Sequence, residues 1–262
     1  MIKIFTRSIN YELYQMSGRC IGLDFPRIRL TNTHADGYFY KMLEDTDCDW
    51  AINIDEDAFV VNDEAILSLL DYAKKNGIVN CGVSDCLPVR YYNPAVTNPY
   101  FNILNLGEIR KIFNIEEIKN FDYAANSAKI LAKTPTHLAN HPNAQPNNSN
   151  EEPYYNFFLW TALNFKTLYL DMELHHDGIS AILKNHDGKT MLYHSWFSRC
   201  WRTDEEQTKR IKNLYTEVAQ QKGFNPEIPN CWQKMIPIDR KIQILNRKCQ
   251  TALTKIVWGG RE

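Results

Sequence analysis

The sequence predicts an α/β fold in which a mostly parallel central sheet is flanked by helices. Residues 50–54 form the run WAINI, which is apolar except for Asn53 and is typical of a strand buried on both faces. Residues 62–77 show a capped amphipathic helical pattern, and residues 78–84 return to a strand pattern. A strand, a helix and a strand of these lengths indicate crossover units on a parallel sheet.

The other elements are predicted from the same two periodicities. Strands show short apolar or alternating runs, and helices show apolar positions three and four residues apart. The additional predicted elements are the strands 2–6, 167–173 and 189–201 (the last running into a loop) and the helices 38–46, 151–165 and 204–223.

The size and composition of the chain fit one globular domain. It has 262 residues, of which 44% are hydrophobic and 23% are charged, enough to form a substantial core. We predict a single domain over residues 1–225 and a C-terminal helical appendage over residues 226–262. The formal net charge of −1 provides no basic field for nucleic acid, so no nucleic-acid partner is expected.

Two polar stretches interrupt the regular pattern. Residues 134–153 are rich in Asn and Pro and predict a long loop, which in a compact domain is usually functional or mobile. Residues 93–103 are rich in Pro, Asn and aromatic side chains. They line an acceptor site in one interpretation and form an ordinary loop in the other.

The cysteines and the two terminal segments indicate in which cellular compartment the protein is expected. The seven cysteines show no CxxC or zinc-site spacing, which favours reduced thiols in a cytoplasm. The N-terminal segment lacks a signal-peptide pattern, and no apolar run is long enough to span a bilayer. Residues 233–262 are basic and amphipathic. Such a tail either makes peripheral contact with the inner face of the plasma membrane or packs on its own domain.

Three acidic residues follow the central apolar strand. Asp55, Glu56 and Asp57 come directly after it and have no Lys or Arg beside them in the sequence. A helix cap or turn explains a single Asp, but it explains three consecutive acids less well. Ligands of open α/β sheets bind beyond the carboxyl ends of strands, and carboxylates there commonly hold Mg²⁺ or Mn²⁺ together with substrate phosphates.

Two other phosphate chemistries are excluded by the residues present. The segment DGKT at 187–190 would require Gly at position 183 to complete a P-loop, and that residue is Leu183. A phosphatase with a nucleophilic Asp on the first strand is also excluded, because residues 2–6 contain no Asp.

The segment INIDEDAFV at 52–60 resembles the DxD segment of nucleotide-sugar-dependent glycosyltransferases of the GT-A fold. EEPYYNFFLW at 151–160 resembles the acidic helix start that carries the catalytic base in inverting members, and LYHSWFSR at 192–199 resembles their late His-containing segment. The order of the three segments is the order found in the family. The resemblance spans roughly residues 2–200 and implies a GT-A-like, Rossmann-like sheet.

The resemblance implies a metal site and a catalytic base. Asp57, Asp55 and His194 would bind Mn²⁺ or Mg²⁺, with Asp55 reaching the ribose or acting through water, and Glu56 is expected to face away. Glu152, or else Glu151, would be the base for an inverting transfer. His194 as a structural residue and the two glutamates as complements of the helix dipole stay open as alternatives. His175, His176 and His186 are the other candidate ligands, and retention of configuration would need no base.

The resemblance also implies where the nucleotide binds. The end of the first strand is the usual position, and the segment 34–42 would reach the same rim. Cations would hold the diphosphate. The candidate contacts are Thr6, Arg7, Asp36, Lys41 and Asp55 for the nucleoside, and Arg199 and Lys189 for the diphosphate.

The function expected from this resemblance is that of a metal-dependent glycosyltransferase of the hexosyltransferase type. The expected donor is a nucleotide sugar, with a UDP-sugar first, and the acceptor is a saccharide or a lipid-linked glycan in surface polysaccharide synthesis. Two alternatives stay open: a metal-dependent nucleotidyltransferase or phosphohydrolase, which uses the same carboxylate and phosphate chemistry, and a catalytically silent protein that binds sugar or nucleotide.

Overall fold

A six-stranded sheet forms the centre of the molecule. The computed structural model describes residues 1–31, 37–86, 92–149 and 152–228. The strand order is β2-β1-β3-β6-β5-β7, and all strands run in one direction except β6, which is antiparallel to both neighbours. These strands are β1 (Ile2–Arg7), β2 (Arg27–Leu30), β3 (Trp50–Ile54), β5 (Asn80–Ser84), β6 (Thr97–Asn105) and β7 (Thr167–Leu170).

Four short antiparallel strands form a second sheet. In the chain, its first strand follows β3 and its other three strands follow β7. Its strand order is β4-β10-β9-β8. The strands are β4 (Ala58–Val60), β8 (Met172–Leu174), β9 (Ala181–Lys184) and β10 (Thr190–His194).

Nine helices accompany the sheets within the described ranges. They are α1 (Tyr11–Cys20), α2 (Gly37–Glu44), α3 (Asp63–Lys75), α4 (Leu106–Ile112), α5 (Ile115–Lys119), α6 (Tyr123–Lys133), α7 (Thr136–Ala139), α8 (Tyr155–Asn164) and α9 (Glu205–Lys222). None of them is long and apolar enough to cross a membrane.

Helices cover both faces of the central sheet. Successive side chains of a strand point to opposite faces, and here they join two separate cores. Ile4 and Ile52 pack in one core with α1, α3 and α9, whereas Phe5 and Ala51 pack in the other with α2, α4, α6 and α8. Burial on both faces explains why β3 is apolar except for Asn53, and it confirms the predicted α/β architecture with a mostly parallel sheet.

Several predicted elements differ from those observed. The helix predicted at 151–165 begins at Tyr155, so Pro153 precedes it. The loop predicted at 134–153 contains the short helix α7, and the stretch at 93–103 contains most of β6 rather than only loop. Residues 229–262, which include most of the predicted tail, lie outside the described residues.

A buried carboxylate ties α1 to the segment before α9. Glu12 is fully buried in α1 and accepts hydrogen bonds from Arg202 Nε at 2.6 Å and Trp201 Nε1 at 2.8 Å. Arg202 has a positive φ of 59°. The network joins parts of the chain that are 190 residues apart, which gives it a role in tertiary stability.

Replacing Glu12 by Gln is expected to lower the free energy of unfolding by about 1.5–3 kcal/mol, because hydrogen bonds to charged groups contribute about that much. Urea unfolding followed by circular dichroism measures the change. The exposed Glu64→Gln variant is the control and is expected to stay within about 0.5 kcal/mol of wild type. Equal effects of the two substitutions would contradict this role of Glu12.

Candidate active site

The acidic segment forms the turn that carries the chain from the first sheet to the second. On one side, Asp55 N donates to Tyr100 O at 2.9 Å and extends the pairing of β3 with β6. On the other side, Ser195 N donates to Asp57 O at 3.0 Å and extends the pairing of β4 with β10. The turn is therefore fixed at both ends by backbone hydrogen bonds.

Asp57 faces His194, the last residue of β10. Asp57 Oδ1 lies 3.2 Å from His194 Nε2, and Asp57 Oδ2 accepts from Ser195 Oγ at 3.1 Å. Both Asp57 and His194 are almost fully buried. Burial alone would raise the pKa of Asp57, but His194 and Ser195 lower it below its usual value, so this carboxylate stays ionised.

Asp55 is held next to Asp57 at an electrostatic cost. Desolvation and the neighbouring charge of Asp57 raise the pKa of Asp55 to about 6, against the opposing effects of Arg7 and His194. Two carboxylates this close disfavour each other's ionised form. A cation placed between them would relieve that repulsion.

Glu56 points away from the other two acids. Its Oε2 accepts from Ser8 Oγ at 2.9 Å, Ile9 N at 2.9 Å and Asn10 N at 2.6 Å. Asn10 in turn caps the N-terminus of α1. Glu56 thereby joins the acidic turn to the loop between β1 and α1.

The donor set at the turn is chemically suited to a divalent metal ion. Asp55, Asp57 and His194 each offer one ligand atom, and these atoms lie within 4.8 Å of one another. Carboxylates suit Mg²⁺ and Mn²⁺, whereas imidazole suits transition metals, so Mn²⁺ satisfies both kinds of donor. Burial and the neighbouring charge of Asp57 raise the pKa of Asp55, and a cation bound here would favour its ionised form.

An open cavity of about 760 Å³ lies against these residues. Arg7 at the end of β1, Glu152 before α8 and Arg199 in a short 3-10 helix line it together with Asp55, Asp57 and His194. The cavity thus combines the candidate metal ligands with two cations and a separate carboxylate.

Arg7 supplies fixed positive charge to the cavity. Burial alone would lower the pKa of Arg7, but Asp55, Tyr38 and Glu56 raise it above its usual value. Its guanidinium carbon lies 5.6 Å from the centre of the Tyr38 ring, a distance at which cation–π attraction acts. Arg7 is therefore a charged group at the wall of the cavity.

Aromatic rings form another part of the cavity wall. Tyr100 stacks on His194 with ring centres 4.2 Å apart, and Trp196 meets the His194 ring edge-on at 4.3 Å. Trp196 and Phe197 both have a φ of 58°, in the left-handed region that bulky residues rarely adopt. Such backbone strain costs about 1–3 kcal/mol per residue and tends to occur at functional sites.

Other predicted site residues lie elsewhere. Thr6 is fully buried, and its hydroxyl accepts from Arg27 Nε at 3.3 Å rather than facing the cavity. Lys41 is exposed and pairs with Glu44 at 2.7 Å. The predictions that Thr6 and Lys41 contact the nucleotide are therefore not supported by their positions, since neither lines the cavity.

The remaining candidates divide into two groups. Asp36 and Glu151 lie outside the described residues. His175, His176, His186 and Lys189 do not line the cavity, and the two adjacent histidines belong to a different cluster.

The sequence interpretation missed a buried polar network around Asp85. This residue follows β5 and accepts from Asn98 Nδ2 at 2.6 Å and from the hydroxyls of Tyr154 and Tyr155 at 3.1 Å each. Asn98 and Tyr154 line the cavity. An Asp directly after a predicted strand was the available signal, because β1, β3 and β5 are parallel and end at one edge of the sheet.

Comparisons with known proteins found structural likeness only. No protein-family model and no curated protein matches the chain. One similar solved structure is A197 from STIV, with 13% identity, a TM-score of 0.38, and coverage of 73% of this chain and 93% of that one. Another is a glycosyltransferase involved in the glycosylation of the major capsid of PBCV-1, with 15% identity, a TM-score of 0.32, and coverage of 52% and 78%. Neither likeness is close enough to assign an activity.

Replacing Glu56 by Ala is expected to destabilise the fold by about 1–3 kcal/mol or more, because two buried donors and one part-buried donor lose their shared acceptor. Glu56→Gln should recover part of the loss, since its single carbonyl oxygen can occupy the position of Oε2. Thermal and urea unfolding measure both changes. The exposed Asp71→Ala variant is the control, and a Glu56→Ala protein as stable as this control would disprove the anchoring role.

Proposed function

We propose that the protein is a metal-dependent glycosyltransferase that moves a sugar from a nucleotide-diphosphate donor to a hydroxyl acceptor. The supporting observation is the grouping of Asp55, Asp57 and His194 in one cavity with Arg7 and Arg199. The resemblance of residues 52–60, 151–160 and 192–199 to the GT-A glycosyltransferases adds to it. A UDP-sugar is the proposed first choice of donor.

The charges in the cavity suit a diphosphate leaving group. Asp55, Asp57 and His194 would hold Mn²⁺ or Mg²⁺, which when bound supplies Lewis-acid stabilisation of the departing diphosphate. Arg7 and Arg199 would pair with the phosphate oxygens, because guanidinium groups bind phosphate through two parallel hydrogen bonds. Trp196 and Phe197 present flat apolar surface against which a sugar ring can pack.

Glu152 is the proposed general base. It lines the cavity and precedes α8, and no acidic residue occupies the first turn of that helix. A carboxylate at this wall can accept the proton of an acceptor hydroxyl while the hydroxyl oxygen attacks the sugar. Inversion of configuration follows from such a direct displacement. The proposed acceptor is a saccharide or a lipid-linked glycan, and residues 233–262 are the proposed membrane contact.

Manganese affinity is expected to fall at least about tenfold between pH 7 and pH 5, because protons compete for a ligating carboxylate. Asp55, with a pKa of about 6, is mostly ionised at pH 7 and mostly protonated at pH 5. Isothermal titration at the two pH values measures the change, and Asp57→Asn should bind weakly at both. Affinity that is the same at pH 7 and pH 5, or the same in Asp57→Asn as in wild type, would argue against this site.

Donor turnover tests the proposed activity directly. The protein is incubated with UDP-, GDP- and CMP-sugars and Mn²⁺, and release of the nucleotide is measured. Asp57→Asn is expected to reduce the rate of nucleotide release by at least about 100-fold, because several kcal/mol of charge stabilisation would be lost. Glu152→Gln should keep donor binding but lose transfer to an acceptor. Lys41→Ala, which alters an exposed residue that does not line the cavity, is the control.

Other outcomes would redirect the assignment. Release of inorganic phosphate or pyrophosphate from a nucleotide would favour a phosphohydrolase or nucleotidyltransferase. Binding of a nucleotide sugar without turnover across a broad acceptor panel would favour a silent binding protein. No binding of any donor, with Asp57→Asn unchanged in every property, would refute the proposal.

A further inference from the structure

A second group of metal-ligating side chains lies where the turn after β8 meets α9. His175, His176 and Glu217 offer one ligand atom each, and these atoms lie within 4.8 Å of one another. None of the three lines the 760 Å³ cavity. Their grouping is therefore separate from the candidate active site.

The turn brings two consecutive histidines to one side of the chain. In an extended strand, neighbouring side chains point to opposite faces. Here Gly178 N donates to His175 O at 2.9 Å, and His175 N donates to Ser180 O at 2.8 Å, which closes a tight turn. The two imidazole ring centres lie 3.9 Å apart as a result.

Both imidazoles approach the same carboxylate oxygen. Glu217 Oε2 lies 3.3 Å from His175 Nε2 and 4.0 Å from His176 Nε2. The side chain of His175 is 3% exposed, that of Glu217 30% and that of His176 78%. The group therefore has a buried end, which fixes the geometry, and an open end, through which an ion can enter.

Asp177 is placed to orient the buried imidazole. Its Oδ1 lies 3.5 Å from His175 Nδ1 and is held by Ile179 N at 2.9 Å and Ser180 N at 2.7 Å. When the ring proton is on Nδ1, it faces this carboxylate and Nε2 is available as a ligand. A carboxylate behind a ligating histidine is a common arrangement at metal sites. In the other tautomer, His175 Nδ1 carries no proton and accepts a hydrogen bond from the backbone N–H of Asp177 at 3.3 Å.

We infer that His175, His176 and Glu217 form a second metal site, which takes a divalent transition-metal ion of the zinc type and fixes the β8–β9 turn against α9. Two imidazoles and one carboxylate are a donor set that zinc accepts in three-ligand protein sites, with water in the remaining position. Mg²⁺ prefers oxygen ligands, so this site differs in preference from the acidic turn.

The position of the site links it to the cavity. Gly178 and Ile179, in the same turn, line the cavity wall. From α9, Arg210 Nη1 donates to Ser180 Oγ at 2.7 Å and Arg210 Nη2 donates to Trp196 O at 3.3 Å. An ion that joins the turn to α9 would thus hold one wall of the cavity in place.

Zinc titration of the untagged full chain under reducing conditions, with a chromogenic chelator as competitor, tests the site. Wild type should bind one more equivalent than His176→Ala or Glu217→Gln. Loss of an outer-shell partner weakens metal affinity by about 10–100-fold, so loss of a direct ligand should weaken it by more than about 100-fold. His137→Ala, which removes an exposed histidine outside both clusters, should match wild type. Zinc bound to the acidic turn or to thiols contributes equally in all four proteins, so it does not affect the difference in zinc stoichiometry between them.

Hydrogen exchange measures the effect on the turn. Zinc should slow amide exchange in residues 175–180 of wild type and of His137→Ala, but not of His176→Ala. Equal stoichiometry in wild type and His176→Ala would overturn the site, and zinc binding without slower exchange would overturn its effect on the turn. Neither measurement uses a sugar donor, so failure here and failure of glycosyl transfer are distinguishable.

Discussion

The candidate site depends on a turn of three residues that must pass from one sheet to another. Backbone pairing holds Asp55 to β6 and Asp57 to β10, so the main chain keeps the two carboxylates near each other despite their repulsion. Glu56 adds a third attachment through three donors in the loop after β1. Because this loop directly follows Arg7, the acidic turn and that cation are held in one framework. The resulting excess of negative charge at a fixed place is the property on which metal binding would rest.

The arrangement of the cores explains why polar groups gather at one edge of the central sheet. Helices cover both faces, and buried faces accept few unpaired polar atoms. The carboxyl ends of the parallel strands remain open. Arg7 is the last residue of β1, and Asp55 and Asp85 directly follow β3 and β5. Their surroundings differ. Acids lie near Arg7, hydroxyl and amide groups donate to Asp85, and burial together with the charge of Asp57 raises the pKa of Asp55. Only the last arrangement leaves a clear electrostatic role for a ligand.

Local patterns were enough to predict the elements with strong periodicity, but not those shaped by distant contacts. The apolar run of β3 and the caps of α3 identify those elements directly, and the acids after β3 stand out for their lack of basic neighbours.

By contrast, β6 contains Pro99 in the middle of a sheet, where proline is normally excluded. The pairing of β5 with β6 shifts between Gly82 and Ser84, and this irregularity accommodates the missing N–H. The partners of Glu56 are 46 to 48 residues away, so its inward position follows from the fold and no local pattern encodes it.

The left-handed backbone at Trp196 and Phe197 limits how this cavity could be altered by protein engineering. Both residues lie on the wall of the cavity, so they are natural positions for a library intended to change which ligand it binds. Valine, isoleucine and threonine are strongly disfavoured at positive φ, whereas glycine, asparagine and aspartate are tolerated. Many variants in such a library would misfold before any selection for a ligand. The surviving variants would tend to have smaller side chains and a wider cavity.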